Sequence, residues 1–147
     1  MYFEPDKYFL GVDVKRKVLD VGQCNADNYR INELLQKHFD AQVDRSHSLD
    51  EAIETAANTA YDLILINRLL DADGSAGMDV LTSLKSNPAS ADIPVMIVSN
   101  YQDAQDQAVQ NGAVAGFGKA ALDSADTLEK LSQYLSCLLY TSPSPRD

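Results

Sequence analysis

Tyr61-Asp-Leu-Ile-Leu-Ile-Asn67 is an apolar run of strand length, broken only by Asp62. A strand without polar alternation is apolar on both faces, as in a parallel sheet covered by helices on either side. Ile93-Pro-Val-Met-Ile-Val98, closed by Ser99-Asn100, has the same character. Lys17-Val-Leu-Asp-Val-Gly22 reads as a strand closed by glycine. Ala41-Gln-Val-Asp-Arg45 alternates weakly, as at a sheet edge, and Ala113-Val-Ala-Gly-Phe117 reads as a short fifth strand. Helical periodicity fills the gaps. Ile31, Leu34, Leu35 and His38 share one face behind a cap at Asn25 or Asp27. Leu49, Ala52, Ile53, Ala56, Ala57 and Ala60 form a stripe capped by Ser48 or Asp50. Helices are also predicted from about Met78 to Ser86, over Gln102 to Gln110, and around Leu128, Leu131 and Leu135. Five strands alternating with five helices predict an α/β, doubly wound, five-stranded parallel sheet. Its functional residues then gather at the carboxyl ends of the strands.

Composition agrees. A chain of 147 residues, 45% hydrophobic and 23% charged, has the make-up of one globular domain. A net charge of -10 repels nucleic acid and anionic lipid. No apolar window reaches membrane-helix length, and Cys24 and Cys137 form neither a CxxC nor a disulfide framework, so a reducing cytoplasm is expected. Residues 1–16 read as an N-terminal extension and 17–136 as the domain. From Cys137 the helical pattern gives way to Ser-Pro-Ser-Pro, and residues 137–147, back-translated, resemble a transposase adapter of sequencing libraries. That tail is set aside as non-native, and the natural chain is expected to continue past Ser136.

The strand ends present Gly22 and Gln23, Asn67, Ser99 and Lys119. With the runs Tyr61 to Asn67, Ile93 to Ser99 and Asn111-Gly-Ala-Val-Ala-Gly-Phe-Gly-Lys119, the chain resembles a response-regulator receiver domain of the CheY type. The resemblance implies a flavodoxin-like sheet of order 2-1-3-4-5. It also implies an aspartate at position 67 that accepts a phosphoryl group, two Mg²⁺-holding acids at 22 and 23, and phosphoryl contacts from Ser99 and Lys119. A carboxylate must attack, and hard oxygen ligands with Mg²⁺ offset the phosphoryl charge. In this sequence Asn67, Gly22 and Gln23 are all neutral. Gly116 stands where the family has a switch aromatic, with Phe117 beside it as a substitute after a local shift. Ala120 stands where the family has a proline, and the loop after Asn67 is two residues longer than usual.

These departures imply a pseudo-receiver: a non-enzymatic signalling module without cofactor. It would act by phosphorylation-independent protein-protein interaction, through the face of the fourth helix, fifth strand and fifth helix, where Tyr101 is placed. One alternative is a working receiver with Mg²⁺ and a displaced acceptor, Asp71 or Asp73. A weaker one is a flavin- or nucleotide-binding protein, against which Gly22-Gln-Cys-Asn-Ala-Asp27 is a poor phosphate cradle. Asp20, inside an apolar strand, is either a displaced acceptor or, preferably, a structural acid paired with Arg68 or Lys17. Lys119 is expected to bond Asn67 or loop carbonyls. His38 and His47 lack an acid partner identifiable from the sequence, and Cys24 reads as small packing at the pocket rim. Restoring aspartate at 22, 23 and 67 together should create Mg²⁺ binding.

Overall fold

The computed structural model describes residues 15–136, so the readings of residues 1–14 and of the tail at 137–147 fall outside the described residues. Four parallel strands form one sheet: β1 (Lys17–Val21), β2 (Gln42–Ser46), β3 (Leu63–Asn67) and β4 (Val95–Val98), in the order β2-β1-β3-β4. The intervening helices are α1 (Asn25–Phe39), α2 (Leu49–Asn58), α3 (Gly77–Ser86), α4 (Gln102–Gln110) and, after a 3-10 turn at Lys119–Ala121, α5 (Ala125–Leu135). β2 lies at the edge, as its weak alternation indicates.

The apolar runs are buried on both faces because strand alternation sends their side chains into two separate cores. Leu19, Val21, Ile64, Ile66 and Ile97 pack with Ala52 and Ala56 of α2 and Val80, Leu81 and Leu84 of α3. Val18, Leu63, Leu65, Met96 and Val98 pack with Ile31, Leu34 and Leu35 of α1 and Leu131 and Leu135 of α5. Ser48 caps α2, accepting from the Glu51 amide. At α1 neither Asn25 nor Asp27 is the cap: the position falls to Cys24, which makes no side-chain cap bond, while Asp27 lies in the first turn.

The fifth strand lies beside β4 as expected but is reduced to a single bridge, Val98 to Phe117. The Val114 amide donates to the Val95 carbonyl at 2.9 Å. Two residues on, a regular ladder would pair Gly116 with the Ile97 carbonyl. Instead the Ser99 amide donates to the Phe117 carbonyl, so the segment carries one extra residue, a bulge at Gly116. Gln105 of α4 fills the gap: its Oε1 accepts from the Gly116 amide at 3.0 Å and its Nε2 donates to the Ile97 carbonyl at 2.9 Å. A Cβ at Gly116 would lie 2.2 Å from the Ile97 carbonyl oxygen, so only glycine fits. Phe117 does not replace the family's switch aromatic, because its side chain is buried in the core beneath α1 and α5.

Candidate functional site

The carboxyl ends of β1, β3 and β4 converge on one rim. There Asn67, Ser99 and Lys119 line a cavity of about 230 Å³ whose lining includes no carboxylate. The loop after Asn67 determines what the rim can do. It folds as a small hairpin in which Leu69 bridges Ala76, and the Leu70 amide donates to the Ser75 carbonyl at 2.8 Å. Leu69 points outward and is exposed, while Leu70 points inward and is 1% exposed.

Leu70 lies directly on Gly22. That glycine has φ +77°, a left-handed conformation that disfavours other residues. A Cβ added to it would stand 2.4 Å from Leu70 Cδ2 and 3.0 Å from Leu70 Cα. The Gly22 carbonyl accepts from the Asp71 amide at 2.9 Å and from the Asn67 side-chain amide at 3.1 Å. The hairpin after Asn67 thus sets an apolar plug, Leu70, over Gly22. The asparagine at 67 is matched to it, since it donates a bond that a carboxylate could not.

Gln23 is fully buried, and its backbone carbonyl accepts from Arg45 Nη2 at 2.9 Å. Mg²⁺ demands an octahedral set of hard oxygens. Gly22 has no side chain, Gln23 is neutral with a guanidinium against its carbonyl, and Asn67 turns its donor toward the rim. These residues, as they are arranged, do not fit a divalent cation. An aspartate at 22 would meet Leu70 and a left-handed backbone angle, which counts against the expectation that three aspartates restore the site.

Lys119 and Ser99 are both engaged within the chain. Lys119 Nζ lies 2.7 Å from Asp27 Oδ2, an ion pair to α1 rather than the expected bond to Asn67 or loop carbonyls. Lys119 holds the Asp27 carboxyl below its usual range. The Ser99 hydroxyl accepts from the Tyr101 amide at 3.1 Å and closes the turn into α4. The peptide at Ala120 is trans, and its N-H donates to Asn100 Oδ1 at 3.0 Å, a bond that proline could not make.

Asp20 is fully buried on the α1 face of β1. It pairs with neither Arg68 nor Lys17: its Oδ2 accepts from Asn28 Nδ2 at 2.7 Å, and Oδ1 has no partner. Burial pushes its carboxyl up to about 6, against the lowering effects of Asn28, Gln23 and Arg45. Asp71 and Asp73 stand on the exposed hairpin turn, outside the cavity of Asn67, Ser99 and Lys119. Asp73 accepts from both the amide and the hydroxyl of Ser75, which lowers its carboxyl. This is the turn chemistry of an Asx motif. Cys24 is partly buried, and His38 stacks obliquely near Phe39. Sequence reasoning missed Leu70 and Gln105. Leu70 sits in a loop that reads as turn, and Gln105 is one of several glutamines on a polar helix.

No protein-family model and no curated protein matches this sequence. Solved structures do match. A protein of response-regulator type from Chloroflexus aurantiacus superposes with a TM-score of 0.73 at 16% identity, over 83% of this chain and 98% of that one. A CheY-like receiver domain from Methanospirillum hungatei gives 0.68 at 18%, over 83% and 94%. The receiver domain of a sensor histidine kinase from Pseudomonas aeruginosa, which coordinates magnesium in its active-site cleft, gives 0.64 at 15%, over 83% and 98%. At these identities the likeness is one of fold. Among the described residues no helix is long and apolar enough to cross a membrane. The plugged rim therefore sits on the doubly wound α/β fold of the response-regulator receiver domains.

Proposed function

We propose that this chain is a pseudo-receiver of two-component signalling: a module that binds a protein partner without being phosphorylated and without Mg²⁺ or another cofactor. The observation that carries this reading is Leu70 seated on the left-handed Gly22, with the Asn67 amide bonded to the Gly22 carbonyl. Attack on a phosphoryl group needs a carboxylate and a counter-charge at this rim. The rim offers an amide, an apolar plug and a lysine already paired with Asp27. Binding of nucleic acid or of a membrane surface is disfavoured by the net charge of -10.

The partner surface is the face of α4, residues 113–117 and α5. Support comes from the groove of about 500 Å³ there, which Gly116 lines with backbone alone. Gln105, Asp126 and Lys130 line it with polar groups suited to a protein surface. The test is exposure of the full chain to acetyl phosphate, or to beryllofluoride, with Mg²⁺. The mass and the amide chemical shifts are expected to stay unchanged. A mass gain of one phosphoryl group, or saturable Mg²⁺-dependent shifts around Asp71 and Asp73, would overturn the proposal in favour of a displaced acceptor.

A further inference from the structure

Beneath the rim, between β1, β2 and α1, lies a polar layer that the signalling role does not use. Asp20 and Gln23 are both fully buried there. One carboxylate oxygen of Asp20 is held by Asn28, whereas Asp20 Oδ1 and both ends of the Gln23 amide have no partner. Unpaired buried groups of this kind are costly, and a natural core keeps few of them. We propose that Asp20 and Gln23 together form a buried proton-binding site in which the Gln23 amide turns to follow the proton.

The donors and acceptors suit both states. With Asp20 ionised, Gln23 Nε2 is the donor that a small turn of its amide would bring to the unpaired Oδ1, while Asn28 Nδ2 donates to Oδ2. With Asp20 protonated on Oδ1, the new O-H donates to Gln23 Oε1, reached by a half-turn of the amide, and the Asn28 bond is kept. One proton enters from solvent, one hydrogen bond of the Gln23 amide is exchanged for another, and no other covalent bond is made or broken. The charges around the site leave the balance close. Arg45, the register partner of Asp20 on β2, favours the ionised form but closes no ion pair with it, its Nη2 being engaged by the Gln23 carbonyl. Asp27 on α1 opposes ionisation and is itself partly compensated by Lys119. From β3 only Leu65 stands beside Asp20, which adds desolvation and no charge. Burial outweighs the favourable groups, consistent with a carboxyl raised to about 6.

Because Gln23 lies two residues beyond β1 and Asn28 sits on α1, the proton acts on the β1-α1 connection. The test is an NMR titration of the full chain from about pH 4 to 8, following the Asp20 carboxyl carbon and the backbone and side-chain amides of Gln23 and Asn28. The carboxyl is expected to titrate between about pH 5 and 7, with the Gln23 side-chain amide moving at the same midpoint. In Asp20→Asn, which mimics the protonated acid, that transition is expected to vanish. An Asp20 carboxyl that titrates below about pH 4.5, or a Gln23 transition that persists in Asp20→Asn, would overturn the proposal. The carboxyl signal decides in the native chain even if the variant fails to fold.

Discussion

Replacing Gln105 by leucine tests the account of the missing fifth strand. The substitution keeps a helix-forming side chain of similar size on α4 and removes only the amide. Four connections go with it: from the Gly116 amide to Oε1 at 3.0 Å, and from Nε2 to the carbonyls of Ile97 at 2.9 Å, Ser99 at 3.1 Å and Phe117 at 3.4 Å. A net hydrogen bond is worth about 1 kcal/mol, and a buried donor left unpaired costs about 1 to 3 kcal/mol. Gly116 is buried, so the loss is expected to reach about 3 kcal/mol. Urea unfolding reads it as a lower midpoint with an unchanged slope. Hydrogen exchange locates it, because protection of the Gly116 amide should fall about a hundredfold if that free energy is lost locally. Gln107→Leu, at an exposed position of the same helix, serves as the control and is expected to stay within about 0.5 kcal/mol. A Gln105→Leu chain as stable as the control, with Gly116 still protected, would refute the view that the side chain replaces a rung of the ladder.

Asp20→Asn has an effect on stability whose sign follows from the raised carboxyl. The folded chain holds this proton to about 6 against an ordinary 3.8, so the stability it contributes is full below 3.8 and is lost as pH rises through about 6. The variant is therefore expected to match the native chain near pH 4 and to exceed it by about 3 kcal/mol at pH 8, measured by urea unfolding. The triple variant Gly22→Asp, Gln23→Asp, Asn67→Asp is expected to bind no Mg²⁺ by calorimetry and to be less stable than the native chain. Adding Leu70→Ala should recover part of that stability, and sub-millimolar Mg²⁺ binding by the triple variant would contradict the plug. Lys119→Met is expected to cost about 1 kcal/mol or less at neutral pH, because the pair with Asp27 is partly exposed. Asp27 is held low by Lys119, so this gap should close as pH falls through the carboxylate range.

Much of this architecture is legible in the sequence because burial leaves a one-dimensional trace. The unbroken runs at Leu63–Asn67 and Val95–Val98 could only be strands covered on both faces, and parallel strands fix where loops converge. The three neutral residues at the rim could be read directly from their types. What escaped depends on distant pairs of side chains. Lys119 and Asp27 meet across the rim although nothing local marks either for the other. Asp20 finds Asn28, one helical turn into α1, rather than an arginine or lysine, because a parallel register places β1 beneath that helix. The fifth strand fails through Gln105, whose amide enters the ladder from eleven residues away. The hairpin of Asp71, Asp73, Gly74 and Ser75 announces a turn, but not which of Leu69 and Leu70 it drives inward.

The contact of Leu70 with Gly22 also bears on whether an acid site could be built at this rim one substitution at a time. An aspartate at 22 meets Leu70 and a backbone angle it disfavours. An aspartate at 67 turns a carboxylate toward the Gly22 carbonyl that the present amide satisfies. Trimming Leu70 first leaves a cavity in the core, at a cost of about 2 to 5 kcal/mol. Each first step is expected to lower stability and to yield no cation site, so the plug works as a ratchet that blocks every short path toward one.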